Sequence, residues 1–264
     1  MFMRFIKTSW LLTFFALITV YYFIVMGFDR LRFLLKGEAY SNDAAHSVAA
    51  KWGRALLKGI PGWGVEIQGE ENLPAEKTPF VIVANHESGT DILAIYFLGI
   101  QFRWLSKHTV FDVPLVGSAM RAAGYVPIVR GDKSSHAKAL RMSESILRDG
   151  TPMLYFPEGT RSTSGRPKEF KTGAFRLAQK CGLPVLPIVL HGSGKLLKKK
   201  TICPNSATIK ISILPFMNSI PDESPSEFAQ RVREKMLICH DQITMNEKNR
   251  SKPQGSSEEL LNSI

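Results

Sequence analysis

The sequence predicts an α/β domain whose mostly parallel sheet is flanked by helices, preceded by an N-terminal membrane helix and an amphipathic helix. From residue 65 onward, short apolar runs rich in β-branched residues alternate with segments of helical periodicity, and this alternation is typical of a parallel sheet. Residues 10–28 are uncharged and largely apolar, and a run of about 20 such residues can cross the hydrocarbon core of a bilayer.

Composition divides the chain into three parts. Residues 1–63 hold the membrane-associated helices, residues 64–245 form the globular domain, and residues 246–264 form a polar tail that we expect to be disordered. The formal net charge of +11 suits a phosphate-rich partner. The apolar N-terminus favours a membrane over nucleic acid as that partner.

The apolar run at residues 10–28 has a competing interpretation as a cleaved signal peptide. The apolar part of such a peptide is typically about 7 to 15 residues long, and no small-x-small cleavage site follows the run. Basic residues flank the run on both sides, so the positive-inside rule leans only weakly toward a cytoplasmic globular domain. A helix that enters and leaves the same leaflet is equally allowed.

Residues 42–60 have apolar positions on one helical face, with Lys51, Arg54 and Lys58 elsewhere on the helix. A basic amphipathic helix next to a membrane segment can lie on the bilayer surface beside anionic headgroups. The same pattern also fits a helix that packs on the core of the domain. Both interpretations stay open.

The elements of the globular domain follow in chain order. Strands are predicted at residues 65–68, 79–84, 101–105, 124–129, 152–156, 184–190 and 207–214, and helices at residues 92–98, 114–123, 134–148, 173–181 and 225–243.

His86 and Asp91 lie at the junction between the strand predicted at residues 79–84 and the helix that follows it. Ligands of open α/β folds bind at the carboxyl ends of such strands, and an aspartate can orient a histidine as a general base. Asp91 also completes a Ser-x-x-Asp capping box with Ser88, a role that needs no chemistry. Both interpretations of Asp91 stay open.

Further charged residues follow other predicted strands. Lys107 and Arg130 are expected to converge with His86 at one edge of the sheet. The loop at residues 156–161, F-P-E-G-T-R, combines turn-forming residues with a guanidinium whose planar fork suits a phosphate. Lys171 stands just before the next predicted helix, whose free amide groups form an anion site with it.

These segments together resemble the four sequence blocks of the glycerolipid acyltransferase family. The first block is matched by His86 and Asp91, the second by Lys107, Pro114, Gly117, Gly124 and Arg130, the third by residues 156–162, and the more degenerate fourth by residues 185–189. The blocks occur in family order, and an apolar N-terminus is also typical of the family.

The resemblance implies that residues 64–245 are an acyltransferase domain. Its reaction moves a fatty acyl group from a thioester, acyl-ACP or acyl-CoA, to the sn-2 hydroxyl of lysophosphatidate and gives phosphatidate. The site residues it implies are His86 and Asp91 as the catalytic pair, Lys107, Arg130, Arg161 and Lys171 as ligands of the substrate phosphate, and Glu158, Gly159 and Thr160 as positioning residues of the acceptor loop.

No cofactor, no metal and no nucleic acid are implied. The expected partners are lysophosphatidate, the acyl thioester, membrane lipid and, where the donor is acyl-ACP, acyl carrier protein. The expected location is the bacterial inner membrane, with the catalytic domain on the cytoplasmic side.

Other chemistries stay open beside this one. The acceptor could be glycerol-3-phosphate or another lysolipid, but enzymes of the family that use glycerol-3-phosphate usually carry a second glycine where Thr160 stands. The alternatives from other classes are a membrane-bound lipid hydrolase or phosphatase that uses His86 and a basic membrane-surface binding protein without catalysis.

The sequence also favours one mechanism of acyl transfer. Because the chain lacks G-x-S-x-G and pairs no cysteine with an obvious base, direct attack of the acceptor hydroxyl is favoured over an acyl-enzyme. Backbone amides of residues 158–160 are the candidate oxyanion donors.

The remaining histidines and the cysteines are given structural interpretations. His46, His136 and His240 are predicted on helical surfaces, and His108 and His191 in loops without a nearby partner in sequence. The three cysteines, Cys181, Cys203 and Cys239, match no metal or redox spacing and are expected to be reduced and at least partly buried.

Overall fold

The computed structural model describes residues 2–251, except residues 77, 163 and 197–204. Its strands are β1 (Trp63–Gln68), β2 (Val81–Ala84), β3 (Arg103–Lys107), β4 (Val126–Ile128), β5 (Met153–Tyr155), β6 (Val185–His191) and β7 (Ala207–Ile213). Its helices are α1 (Phe2–Leu35), α2 (Asn42–Gly59), α3 (Asp91–Ile95), α4 (Val116–Ala122), α5 (Lys133–Arg148), α6 (Gly173–Cys181), α7 (Ser193–Leu196) and α8 (Pro225–Ser251). Short 3-10 turns lie at Glu70–Asn72, Tyr96–Leu98 and His108–Val110.

These strands form one sheet in the order β1-β7-β6-β2-β5-β3-β4. Five neighbouring strands, β6, β2, β5, β3 and β4, run parallel to one another. β7 is antiparallel to β6, and β1 is parallel to β7. The predicted mostly parallel sheet is therefore confirmed, and the carboxyl ends of five strands meet at one edge.

Side-chain alternation along the strands gives the sheet two buried faces. In β2, Ile82 contributes to one apolar cluster together with residues of α2 and α3. Its neighbours Val81 and Val83 contribute to a second cluster with residues of α5, α6 and α8. Because successive side chains of a strand point to opposite faces, the four fully apolar residues of β2 require helices on both sides. The domain therefore has three layers.

Helix α1 has the length and composition of a membrane span over Thr8–Leu35, and only 17% of its most apolar window is buried. A helix in the core of a soluble protein would be mostly buried, whereas α1 exposes large apolar residues such as Phe23, Phe28 and Leu31. An apolar surface of this extent marks contact with a membrane or a partner. The prediction of an apolar N-terminal helix is confirmed.

Helix α2 packs between α1 and the sheet domain. Its apolar face, including Leu56 and Leu57, is buried, and the indole Nε1–H of Trp52 donates to Thr19 Oγ1 of α1 at 3.2 Å. Of the two interpretations of this segment, packing on the core is confirmed. Lys51 lies on the exposed face, so contact of that face with lipid headgroups stays a prediction.

Helix α8 is longer than predicted. It begins at Pro225 as expected but continues to Ser251, so the boundary predicted at residue 246 falls inside the helix, and residues 252–264 of the predicted tail lie outside the described residues. Cys181 and Cys239 are free and partly buried, as expected. Cys203 lies outside the described residues.

Candidate active site

The parallel strands bring the charged residues of the sequence blocks to one edge of the sheet. His86 follows β2, the loop at residues 156–161 follows β5, Lys107 ends β3, and Arg130 follows β4. In the sheet these strands are neighbours in the order β2, β5, β3, β4. The site is therefore a row of functional groups along the carboxyl edge, with His86 at one end and Lys107 and Arg130 at the other.

The side chain of His86 is held by Asp91 at the start of α3. The imidazole Nδ1–H donates to Asp91 Oδ2 across 2.6 Å. The carboxylate is fully buried, whereas the His86 side chain keeps 16% of its surface exposed. Because Nδ1 is occupied, Nε2 is the ring nitrogen left to accept a proton at the cavity that His86 lines.

Asp91 carries out both roles that the sequence left open. The same Oδ2 atom accepts hydrogen bonds from the backbone N–H groups of Glu87 at 2.8 Å and Ser88 at 2.9 Å. These bonds fix the loop that carries His86, and the charge that receives them also orients the imidazole. One oxygen atom therefore both fixes the loop before α3 and orients the base, although α3 itself has Thr90 as its N-cap and no side-chain capping bond among the described residues.

Two contacts with the loop after β5 further position His86. The ring of Phe156 stacks on the imidazole, with centroids 4.3 Å apart and planes inclined by 25°. The backbone N–H of His86 donates to Glu158 Oε1 at 3.0 Å, and the His86 carbonyl accepts from the Ser162 N–H. Phe156 was not predicted as a site residue, although its place directly after a strand, as the first residue of the F-P-E-G-T-R loop, was a usable signal.

The side chain of Glu158 bonds the backbone of His86 and does not line the cavity. It is buried, and burial raises the pKa of its carboxyl group. In the structure its contact is a bond with the backbone of His86, and the predicted role in positioning the acceptor stays a prediction. The N–H of Gly159 donates to the Phe156 carbonyl at 3.0 Å, so this amide is not free to act as an oxyanion donor.

Lys168 fixes the tip of the same loop, a role that the sequence did not indicate. Its ammonium group donates to Thr160 Oγ1 at 3.1 Å and to the carbonyl of Arg161 at 2.7 Å. Thr160 therefore serves as an anchor of the loop. A lone lysine after the third block carries no spacing signal, which explains why it was missed.

The four predicted cations, Lys107, Arg130, Arg161 and Lys171, are exposed and all line the same cavity as His86. Two glycines, Gly89 and Gly159, leave room for Arg161 and Lys171. A Cβ on Gly89 would stand 3.1 Å from the guanidinium Nη2 of Arg161. Gly159 has φ +70°, a conformation that favours glycine, and a Cβ there would stand 2.9 Å from Lys171 Nζ. The first and third blocks are thus packed against each other.

The cavity has a volume of about 1310 Å³, which exceeds the roughly 300 to 1,000 Å³ of a site for a drug-sized molecule. Its walls are apolar toward the N-terminal helices, where Phe23 and Met26 of α1 and Trp52 of α2 contribute. They are cationic toward the strand ends. The cavity therefore matches an amphipathic ligand with an anionic headgroup.

Three of the structural interpretations of histidines are wrong. His46 and His240, expected on helical surfaces, are buried. His191, expected in a loop, ends β6 and contacts His240 and Glu247, which are distant in sequence. Helical periodicity did not reveal these environments because the apolar face of each helix is defined by its neighbours in the tertiary structure.

Comparison with known proteins gives matches over the same region. A family model described as Acyltransferase matches residues 64–191. A chloroplastic 1-acyl-sn-glycerol-3-phosphate acyltransferase of Brassica napus is 40% identical over 165 residues, which cover 62% of this chain and 47% of that protein. The alpha form of the human enzyme of the same name is 30% identical over 195 residues, covering 71% of this chain and 68% of that protein. The chain thus spans about half the length of the plant relative.

The fold also has a solved counterpart. The crystal structure of the 1-acyl-sn-glycerophosphate (LPA) acyltransferase PlsC from Thermotoga maritima superposes with a TM-score of 0.77 at 26% identity. The alignment covers 91% of this chain and 98% of that chain. The similarity therefore includes more than the sheet domain.

Proposed function

The chain belongs to the acyltransferase family, and we propose that it transfers a fatty acyl group from an acyl thioester to the sn-2 hydroxyl of lysophosphatidate, giving phosphatidate. The relatives named above support this acceptor, because their names state acylation of 1-acyl-sn-glycerol-3-phosphate. The observation that carries the proposal is the pairing of His86 Nδ1 with the buried Asp91 beside a large amphipathic cavity.

In this reaction His86 is the general base. Its Nε2 accepts the proton of the sn-2 hydroxyl while the hydroxyl oxygen attacks the thioester carbonyl. The tetrahedral intermediate then collapses, the C–S bond breaks, and the thiolate takes the proton back from His86. Asp91 holds the ring and stabilises the imidazolium that forms between these two steps.

The positions of the cations indicate how the acceptor is oriented, with its phosphate at the cationic wall of the cavity. Arg161 lies against Gly89, within the loop that links His86 to Asp91, so a phosphate bound by its guanidinium stays close to the base. Lys171, Lys107 and Arg130 add positive charge along the same wall. We assign this cluster to the phosphate of lysophosphatidate.

The apolar end of the cavity is assigned to acyl chains. Residues of α1 and α2 form this wall, and α1 has the length and composition of a membrane span. Acyl chains can therefore reach the site from the bilayer without crossing water. The apolar helix and the family together indicate association with a membrane.

We further propose that the membrane is a bacterial inner membrane and that the catalytic domain faces the cytoplasm, where either acyl-ACP or acyl-CoA can deliver the acyl group. Basic residues flank the apolar segment on both sides, with three after it, Arg30, Arg32 and Lys36, and two before it, Arg4 and Lys7, so they give this orientation weak support. Protease added to sealed inverted vesicles should digest the domain. Protection in inverted vesicles, with digestion in right-side-out ones, would contradict the orientation.

The reaction is tested with the full-length protein in membranes, lysophosphatidate and an acyl thioester labelled in the acyl group. We expect label in phosphatidate, with acyl-ACP and acyl-CoA assayed in parallel. Glycerol-3-phosphate serves as the competing acceptor. Label recovered only in free fatty acid, or phosphate released without a donor, would assign a hydrolase instead, and absence of any product would leave a lipid-binding protein.

A further inference from the structure

A second cluster of ligating side chains lies behind the active site, at the end of β6. It consists of Glu87 after β2, His191 at the end of β6 and His240 in α8, and all three are buried. One potential ligand atom from each lies within 4.8 Å of the others. None of the three is among the residues that line the acyltransferase cavity, so the reaction proposed above makes no use of them.

The spacing of the two imidazoles fits a metal ion. His191 Nδ1 and His240 Nε2 are 3.4 Å apart. Two nitrogens bound to one tetrahedral zinc at roughly 2.0 to 2.1 Å are separated by about 3.3 to 3.4 Å. The distance is therefore that of two ligands of one ion, and it is long for a strong hydrogen bond.

Glu87 supplies the third ligand atom. Its Oε2 accepts bonds from Gly194 N–H at 3.1 Å and Ser193 Oγ at 3.3 Å, whereas its Oε1 is buried and has no hydrogen-bond partner among the described residues. No Lys or Arg pairs with this carboxylate among those residues either. Burial raises the pKa of this carboxyl group to about 7, so either a proton or a bound cation removes the cost of burying its charge.

The outer nitrogen of one histidine is also arranged as in metal sites. His191 Nε2–H donates to Glu247 Oε2 at 3.1 Å, whereas His240 Nδ1 is buried without a hydrogen-bond partner among the described residues and lies 3.6 Å from Asp241 Oδ1. Histidines that bind metals usually donate their other N–H to a carboxylate, which fixes the tautomer and the direction of the ring. Glu247 is itself held by Lys195 at 2.8 Å and Lys210 at 3.0 Å.

We propose that Glu87, His191 and His240 bind one Zn²⁺ ion, with a fourth ligand from water. Two imidazoles and one carboxylate form a set that zinc accepts in tetrahedral geometry, whereas Mg²⁺ and Ca²⁺ prefer oxygen ligands alone.

The ion would join three elements that meet beside the catalytic base. Glu87 directly follows His86, and its backbone N–H donates to Asp91 Oδ2 at 2.8 Å. Zinc would therefore tie the loop of the catalytic pair to β6 and α8. Its role is structural, and it takes no part in the transfer of the acyl group.

The test uses the full-length protein in detergent, stripped with a chelator and dialysed against buffered Zn²⁺. We expect about one tightly bound zinc per chain, and a rise in melting temperature on reloading, because an ion that binds the native state stabilises it. The double variant His191→Gln/His240→Gln should lose both effects. His136→Gln, a matched histidine outside the cluster, should keep the stoichiometry of the wild type.

Two further measurements cover the case in which the double variant fails to fold. Glu247→Gln keeps every ligand but weakens the support of His191, and it should lower the affinity for zinc by about 10- to 100-fold. Co²⁺ in the wild type should show the visible absorption bands of a four-coordinate site. Zinc content no higher than in the double variant, or the absence of those Co²⁺ bands, would overturn the proposal. Bound metal is the readout, so the result does not depend on the transferase reaction.

Discussion

His86 and His46 show two ways in which this fold holds a histidine. Both rings have close partners, but only His86 is paired with a carboxylate. His46, in α2, contacts the Ile100 carbonyl through Nε2 at 3.3 Å and accepts from the Tyr125 hydroxyl at Nδ1 across 3.0 Å. Tyr125 in turn bonds the hydroxyl of Tyr96.

The consequences for the two rings are opposite. His46 has 1% of its surface exposed, and burial, together with the nearby charge of Arg103, lowers its pKa to about 3. It stays neutral and has no free nitrogen. His86 has a partner for one nitrogen and a cavity beside it. A free ring nitrogen at a cavity, with a carboxylate on the opposite nitrogen, therefore distinguishes the candidate base from a histidine of the core.

The largest effect is expected from His86→Ala. The substitution removes the base together with its contacts to Asp91 and Phe156, so kcat per folded molecule should fall by about 10²- to 10⁴-fold, far more than the loss of those contacts lowers the melting temperature. The paired control is His46→Gln, which should lower the melting temperature and leave kcat per folded molecule near that of the wild type. Steady-state kinetics and thermal unfolding of both variants check this. Near-normal turnover in His86→Ala would refute the role of the base.

Asp91→Asn should have the next largest effect. The amide oxygen can still accept the backbone N–H groups of Glu87 and Ser88, but it offers no negative charge to the imidazolium. We expect kcat to fall by about 10²-fold with little change in unfolding. Kinetics and circular dichroism on the same preparation distinguish the two roles of the carboxylate. Unchanged kcat together with a lower melting temperature would mean that Asp91 only caps the loop.

Arg161→Lys tests the cationic wall of the cavity that His86 lines and His46 does not. Only a guanidinium holds two phosphate oxygens in one plane, so the KM for lysophosphatidate should rise, and kcat/KM should fall by about 10- to 150-fold, the equivalent of one charge-assisted hydrogen bond. Monoacylglycerol, which has no phosphate, should be affected far less. An equal loss for both acceptors would mean that Arg161 holds the loop or binds the donor.

Gly89→Ala is the matched variant for Arg161. It leaves the charge in place but puts a methyl group 3.1 Å from the guanidinium, so it should shift the position of Arg161. The KM for lysophosphatidate should rise by less than in Arg161→Lys. A larger rise for monoacylglycerol than for lysophosphatidate would contradict the assignment of this wall to the phosphate.

The smallest effect concerns pH and stability. The unfolded chain protonates His46 near its ordinary pKa of about 6.5, whereas the folded protein keeps it neutral down to about 3. The stability that neutral His46 contributes is therefore present above about pH 6.5 and is lost as the pH falls. From pH 7 to pH 5 the loss is about 2 kcal/mol, or roughly 4 to 8 °C in melting temperature.

Comparison with His46→Gln isolates this contribution from other titrating groups. The difference in melting temperature between the wild type and the variant should shrink by that amount between pH 7 and pH 5. A constant difference over this range would show that His46 titrates alike in the folded and unfolded chains.

Local patterns were enough to predict most elements of the fold. Runs such as residues 79–84 gave strands close to their observed bounds, because a short β-branched run buried on both faces has few alternatives to a strand. The end of α8 was misplaced because its last turns are polar. Lys195 and Lys210 contact Glu247 there, and such contacts stabilise a helix without an apolar periodicity.

The sequence by itself determined the candidate pair His86 and Asp91, the family and the apolar helix α1, since each depends on short motifs whose residues are close together or on the order of those motifs along the chain. Only the tertiary structure decided which groups share a space. Strand order placed Lys107 and Arg130 beside the loop after β5. Helix packing buried His46 and brought His240 within 3.4 Å of His191. Contacts between residues about 50 or more positions apart arise from the crossing of strands and helices, and a linear pattern contains no record of that geometry.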